Sequence, residues 1–381
     1  MGGTVSLAIR ALEQRKDLNE SVIDEFIEDH DFPIVEGNTI TFAFRGKVDQ
    51  VSLQHWVYGL ESSLSLERLR DTDLWYLVLD LPENSRIEYK FDIVVGGDHR
   101  WVHDPFNPQI AHDPFGFNSV CHTQGYETPS WTYQDPESRP GSIEEHTISS
   151  EIFGERAISV YLPARFRPTR RYPLLVVHDG MDYVRYASLR TVLDNLIHRL
   201  ELSHMIVVLT HASDRLVEYA ADDRHTRFIV EDVLPYVENH YPISPNPKNR
   251  GLMGASFGAV ASLATAWAHQ GSFGRLLLQS GSFAFTDIGE NQRGPAFEPV
   301  VSFMNAFRDN PGRPATKVFL SCGTYESLIY ENRSLLPLLQ QTGMNVRFVA
   351  ARDGHNWENW RDRLREGLTW LFPGPLWMVY E

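Results

Sequence analysis

Between Leu7 and Ile27, apolar side chains return every three or four positions, at Leu7, Ile9, Leu12, Leu18, Val22, Phe26 and Ile27, with polar residues between them. That spacing predicts helix over residues 5–30, inside an N-terminal helical segment of residues 1–30. From Asn38 the period falls to two. The runs Thr39–Phe44, Gln50–Val57, Asp73–Leu79 and Ile87–Val94 are broken by Gly46-Lys47, Pro82-Glu83-Asn84 and Gly96-Gly97. Short alternating runs closed by turn residues predict a small β-sandwich over residues 31–104. Residues 105–146 hold Pro105, Pro108, Pro114, Pro129, Pro136 and Pro140 with little periodicity, and are expected to form an extended linker.

From Thr147 the pattern changes again. Ala157–Leu162, Leu174–Val177, Met205–Leu209, Gly251–Met253, Arg275–Leu278 and Lys317–Ser321 are short, mainly apolar runs, which fit strands of a sheet covered on both faces. Helical patterns lie between them, including Arg227–His240 and Val260–His269, and the spacing of Trp357, Trp360, Leu364, Leu368 and Leu371 predicts a closing amphipathic helix. Alternation of this kind predicts the α/β class: a mostly parallel sheet with helices on both faces, over residues 147–381.

Composition narrows the function classes. The chain has 381 residues, of which 50 are acidic and 35 basic, a formal charge of −15. That balance opposes nucleic-acid binding, which relies on Lys and Arg to neutralise phosphates. No apolar run reaches the ~18 residues needed to cross a bilayer, and no basic-then-apolar leader opens the chain, so a cytoplasmic protein without membrane partners is expected. Cys121 and Cys322, far apart, do not support a disulfide framework.

The sharpest chemical signal is Gly254-Ala255-Ser256-Phe257-Gly258, placed after one predicted strand and before a predicted helix. A nucleophile elbow needs small residues around its serine, because the chain turns so tightly that Oγ is pushed out above the sheet. Serine at neutral pH needs a base, and His355 follows the apolar run Val346–Ala350 and precedes the closing helix. A carboxylate must orient that imidazole. Glu326, just past the run Lys317–Ser321, keeps the chain order serine, acid, histidine; Asp353 and Glu331 compete with it. The oxyanion donors expected are the backbone N–H groups of Phe257 and of Met181, in the loop His178-Asp179-Gly180-Met181. His103, Asp104, His112 and Asp113 lack the spacing of metal motifs, and neither metal nor cofactor is expected.

Taken together, Gly254–Gly258, Gln279-Ser280-Gly281-Ser282, Gly323-Thr324-Tyr325-Glu326, Asp353-Gly354-His355, His178-Asp179-Gly180 and Arg215-Leu216-Val217-Glu218-Tyr219 resemble the enterochelin (ferric enterobactin) esterases and the wider esterase-D-like group. The resemblance spans roughly residues 147–372 and implies an α/β-hydrolase fold with a Ser256, Glu326, His355 triad. It places Arg215 and Glu218 near the substrate, or in a structural ion pair. Before it, Glu88-Tyr89-Lys90-Phe91 and Gly96–Pro105 resemble immunoglobulin-like glycan-binding modules, which makes Trp56, Lys90 and Trp101 candidate sugar contacts and leaves Trp75 to the core.

These features imply a serine esterase acting on a small-molecule ester through an acyl-enzyme. A siderophore esterase is the first expectation, with Arg185, Arg190, Arg215, Arg352 and Arg361 available to meet an anionic catecholate. The alternatives are a feruloyl- or acetyl-type esterase acting on carbohydrate-linked esters and a catalytically idle glycan binder. The sandwich is expected either to bind glycan or to shape the mouth of the active site.

Overall fold

A strand covered on both faces buries successive side chains, and in Thr39–Arg45 (Thr-Ile-Thr-Phe-Ala-Phe-Arg) Ile40 to Phe44 are all buried, Thr41 among them. The computed structural model describes residues 7–286 and 294–375, so residues 1–6 of the expected helical segment lie outside the described residues. The chain divides into two units. The first begins with α1 (Ala8–Glu13) and α2 (Glu20–Glu28), the latter capped by Asn19, whose side chain accepts from the Val22 N–H at 3.1 Å. The helical periodicity is therefore interrupted, with a loop over residues 14–19.

Ten strands follow in the first unit: β1 (Ile34–Glu36), β2 (Thr39–Arg45), β3 (Gln50–His55), β4 (Ser63–Ser65), β5 (Glu67–Arg68), β6 (Leu74–Asp80), β7 (Arg86–Val95), β8 (Asp98–Val102), β9 (Ile110–Asp113) and β10 (Gly116–His122). They form a four-stranded sheet, β1-β2-β6-β5, and a six-stranded sheet, β4-β3-β7-β10-β9 with β8 on β7. Ile40, Phe42, Phe44 and Trp75 meet Val51, Leu53, Tyr89 and Phe91 between the sheets. Ala43, Leu74 and Tyr76, on the opposite face of the four-stranded sheet, pack against Ile9, Val22, Ile23 and Phe26 of the two helices. Trp75 is a core residue, as expected, and its Nε1–H donates to the Gly46 carbonyl at 3.1 Å.

The stretch expected to be linker departs from that reading. Its residues 110–113 and 116–122 are the hairpin β9–β10, and β10 pairs antiparallel with β7. Pro105, Pro108 and Pro114 fall outside these strands, so none interrupts a ladder. The first unit runs to Glu127 and is completed by two short pieces from far along the chain, residues 324–326 and 352–354. The Tyr58 N–H donates to the Tyr325 carbonyl at 2.7 Å, the Arg86 N–H to the Arg352 carbonyl at 2.9 Å, and the Tyr325 N–H to the Asp353 carbonyl at 3.1 Å. Arg86, fully buried, pairs with Glu88 at 2.9 Å and Asp353 at 3.3 Å.

The second unit is built on an eight-stranded sheet: β11 (Ser142–Ser150), β12 (Gly154–Leu162), β13 (Leu174–Val177), β14 (Ile206–Leu209), β15 (Arg250–Ala255), β16 (Arg275–Gln279), β17 (Lys317–Gly323) and β18 (Asn345–Ala351). The order is β11-β12-β14-β13-β15-β16-β17-β18; β11, β12 and β14 pair antiparallel, and every pair from β14 to β18 is parallel. Strand β11 (Ser-Ile-Glu-Glu-His-Thr-Ile-Ser-Ser) is an edge strand too polar to register as an apolar run.

Helices α3 (Gly180–Tyr186), α4 (Leu189–His198), α5 (Arg215–Glu218), α6 (Asp223–Arg227), α7 (Leu234–His240), α8 (Phe257–Ala268), α9 (Glu298–Asp309), α10 (Ile329–Gln341) and α11 (Trp357–Leu371) connect these strands. Alternation along each strand divides the core in two. Leu174, Val176, Leu252, Leu276, Leu278 and Leu320 face α7, α8, α9 and α10. Leu175, Val177, Met253, Leu277 and Phe319 face α3, α4 and α11. This is the mostly parallel sheet with helices on both faces that the apolar runs predicted, in the α/β-hydrolase arrangement that the resemblance implied.

Arg86 generates a stability prediction. Removing one partner of a buried ion pair leaves the other charges unpaired, which costs about 3–5 kcal/mol. Arg86→Ala is expected to lower unfolding free energy by about that amount in urea titrations of the intact chain. A loss below ~1 kcal/mol, typical of an exposed pair, would contradict this account.

Candidate active site

The turn from β15 into α8 is where the sequence forces unusual backbone. Ser256 sits at φ 57° and ψ −121°, outside the regions that L-residues favour. Such a conformation persists only where its surroundings impose it. The Ser256 N–H donates to the Gln279 carbonyl at 3.0 Å, and its carbonyl accepts from Ala259 at 3.2 Å and Ser282 at 3.2 Å. A Cβ at Gly254 would stand 2.3 Å from the Gly258 backbone, and one at Gly258 would stand 3.2 Å from His178 Cβ. Gly254 is therefore a steric requirement of the turn, and Gly258 lies where a side chain would crowd His178.

Ser256 Oγ lies 3.2 Å from Ser282 Oγ. Ser282 was not singled out as a site residue from the sequence, although it belongs to the motif Gln279-Ser280-Gly281-Ser282. Gln279 braces the same turn: its Oε1 accepts from Tyr183 Oη at 2.8 Å and its Nε2 donates to the Trp360 carbonyl at 2.9 Å. Trp360 in turn donates from Nε1 to Ser280 Oγ at 3.0 Å and meets the His355 ring edge-on, with centroids 5.2 Å apart. The backbone behind the serine and the ring beside His355 thus share one set of buried supports.

Phe257 and Met181 stand in the first turns of α8 and α3, where backbone N–H groups have no intrahelical acceptor. Among the described residues neither N–H donates to a protein acceptor. Before Met181, Asp179 is left-handed at φ 54°, its N–H donates to Tyr219 Oη at 3.2 Å, and the Gly180 N–H donates to the Thr210 carbonyl at 2.9 Å. A Cβ at Gly180 would lie 2.5 Å from Leu209 Cα, so only glycine fits this approach.

Arg215 and Glu218 do not pair with each other among the described residues. Arg215 Nε donates to Asp179 Oδ2 at 2.8 Å and Nη2 to the Ala255 carbonyl at 3.2 Å. Glu218 takes Arg156 Nη2 at 2.9 Å and faces His225 Nδ1 at 3.8 Å. Burial acts to raise the Glu218 carboxyl, but His225 and Arg156 outweigh it and hold it at about 2. Burial also raises the Asp179 carboxyl in spite of Arg215.

Glu326 is buried and follows β17 by three residues; His355 follows β18 by four. Asp353 pairs with Arg86 at 3.3 Å and accepts from the Gly354 N–H at 2.7 Å, and Glu331 sits in the first turn of α10. The arginines expected to form a basic surface are largely engaged: Arg190 donates to the Gly141 carbonyl at 2.7 Å, Arg352 to the Glu83 carbonyl at 2.6 Å and Arg361 to Asp362 at 2.9 Å. In the first unit Trp56 and Trp101 are both exposed, with ring centroids 6.5 Å apart at 67°. Lys90 stands opposite Gln54, and Trp101 opposite Asp92, on the sheet face turned away from Tyr89 and Phe91.

Beneath the elbow lies a buried histidine pair. His178 Nε2 and His225 Nε2 are 3.0 Å apart, and His178 Nδ1 contacts Ser262 Oγ at 3.0 Å. Burial, then the neighbouring His225, push His178 well below its ordinary 6.5. A group with a depressed folded-state pKa stabilises the fold fully above its unfolded value, and that contribution fades as pH falls from there toward the folded value. Stability is therefore expected to fall below pH 6.5, by up to about 1.4 kcal/mol per pH unit for this one group. Urea midpoints measured from pH 8 to pH 5 should show a smaller slope in His178→Gln; equal slopes would contradict the assignment.

Comparison with known proteins agrees with this fold. The "Putative esterase" family model matches residues 149–371. The iron(III) enterobactin esterase of Escherichia coli O6:H1 is 24% identical over 337 residues, covering 81% of this chain and 82% of that protein. The crystal structure of the enterobactin esterase FES from Shigella flexneri in the presence of enterobactin has a TM-score of 0.74 at 21% identity, covering 94% of this chain and 99% of that one. A ferulic acid esterase from Anaeromyces mucronatus, in complex with ferulic acid, has a TM-score of 0.54 at 20% identity and covers 63% of this chain. With the family model spanning more than half its length, the chain belongs to this esterase family and is a carboxylic ester hydrolase.

Proposed function

We propose that the protein is a serine esterase of enterobactin-esterase type, with Ser256 as nucleophile, His355 as general base and Glu326 as the carboxylate that orients it. The observation that carries the reading is Ser256 itself, held at positive φ at the start of α8 in a turn that requires glycine at 254 and is tight at Gly258. Glu326 and His355 follow the neighbouring parallel strands β17 and β18, on the same sheet as β15.

In the proposed reaction the Ser256 hydroxyl proton passes to His355 as Oγ bonds to the ester carbonyl carbon. The carbonyl oxygen becomes an oxyanion that accepts from the Phe257 and Met181 N–H groups. Collapse breaks the bond to the alcohol oxygen, which takes the proton from His355 and leaves an acyl-serine. Water then attacks that acyl carbon, giving its proton to His355; the second collapse releases the acid and returns the proton to Ser256 Oγ.

The substrate class proposed is a catechol-bearing serine lactone. The FES structure matches this chain over nearly its whole length, sandwich included, whereas the ferulic acid esterase covers about two thirds. The reading goes with a cytoplasmic enzyme acting on an imported substrate. One observation favours a second reading, an esterase for carbohydrate-linked acyl groups: the exposed Trp56–Trp101 pair, with Lys90 on the same face, offers the ring faces that stack on sugars.

A side-by-side assay separates these readings. Enterobactin should be opened to dihydroxybenzoylserine units faster than a feruloyl xylo-oligosaccharide is cleaved. An untouched trilactone beside rapid feruloyl release would establish the second reading instead. Ser256→Ala should lower turnover by about 10³–10⁶ and Glu326→Gln by less, without change in unfolding midpoint. The acidic limb of kcat/KM should vanish in His355→Ala. An acidic limb unchanged in that variant would remove His355 as base.

A further inference from the structure

We propose that Arg215 is a positioning residue that fixes the spacing between the two oxyanion donors; the proposal rests on the serine-esterase reading above. The donors belong to different elements. Met181 lies two residues beyond Asp179, and Phe257 two residues beyond Ala255. Strands β13 and β15 are in register up to Val177 and Met253, and the His178 N–H still donates to the Met253 carbonyl at 2.9 Å. Past that bond the two chains turn into α3 and α8.

Arg215 bridges the gap. Nε bonds to the Asp179 carboxylate at 2.8 Å and Nη2 to the Ala255 carbonyl at 3.2 Å. Among the described residues no other side chain bonds to both. Each anchor is therefore two residues upstream of one donor, and the planar guanidinium fixes the distance between them. A lysine, with a single ammonium on a flexible stem, could not hold both bonds in that geometry. The Asp179 anchor also needs holding, because its left-handed backbone and its burial both act against the arrangement. Tyr219 supports it from below, accepting from the Asp179 N–H while the guanidinium lies 5.7 Å from its ring centroid.

An oxyanion hole contributes only when its donors are preorganised at the position the charge will occupy. Loss of the bridge should thus affect the transition state more than the bound ester. The test uses neutral p-nitrophenyl acetate and an aryl trifluoromethyl ketone, which forms a tetrahedral oxyanion adduct with the serine. In Arg215→Gln, kcat should fall about 10–100-fold, KM should stay within about twofold, and ketone affinity should fall in proportion to kcat. Arg215→Lys should recover only part of the loss. Asp179→Asn should mimic Arg215→Gln, and the double variant should be little worse than either, because both remove one bridge. If Arg215→Gln fails to fold, Asp179→Asn and Arg215→Lys carry the same comparison.

Unchanged kcat and ketone affinity would overturn the proposal, as would a raised KM confined to anionic esters, which would make Arg215 a substrate contact instead. A wild-type protein that neither turns over p-nitrophenyl acetate nor binds the ketone would reject the esterase reading itself. Wild-type activity with an insensitive Arg215 would reject only the bridge.

Discussion

The steric demand of one residue, Ser256 at positive φ between β15 and α8, sets the terms for much of the second unit. A non-glycine residue in such a region carries a cost of about 1–3 kcal/mol, which neighbouring contacts must offset. Gly254 and Gly258 remove the clash, and Gln279 and Ser282 hold the serine's own amide and carbonyl. Gln279 is fixed by Tyr183 and by the Trp360 carbonyl, so the strain is braced by α3 on one side and α11 on the other. A chain that needed only a strand–helix turn there would have no use for this buried polar framework.

The polar groups under the turn follow the same logic. Burying the His178–His225 pair and Glu218 is tolerable only because each finds a partner, and the partners come from α5, α6, α8 and β12. Their arrangement anchors the loop proposed to carry the Met181 oxyanion donor, since Asp179 follows His178 directly and is tied to Tyr219 and Arg215. The first unit has an analogous centre in Arg86, whose guanidinium joins Glu88 to Asp353.

Much of this was legible in the residues. Runs such as Leu174–Val177 and Ile206–Leu209 have no polar face, and that alone called for a sheet covered on both sides. The elbow was legible because strand, small residues and helix stand in immediate succession. What escaped reading had physical causes. Strand β11 is polar because it lies at a sheet edge, and β9–β10 is short and flanked by prolines that mask its alternation. Arg215 and Glu218 were visible as a pair in sequence, but Asp179 and Arg156, their partners, are distant along the chain. Ser282 was visible only as part of a motif, since its contact with Ser256 depends on the turn after β16.

The central claim is that Ser256 is the nucleophile, and covalent trapping addresses it most directly. A fluorophosphonate incubated with the intact protein should add once, with the adduct on the tryptic peptide of residues 251–275 at Ser256 and loss of esterase activity in step with labelling. Labelling at another residue, or full activity after Ser256 has been modified, would contradict the account.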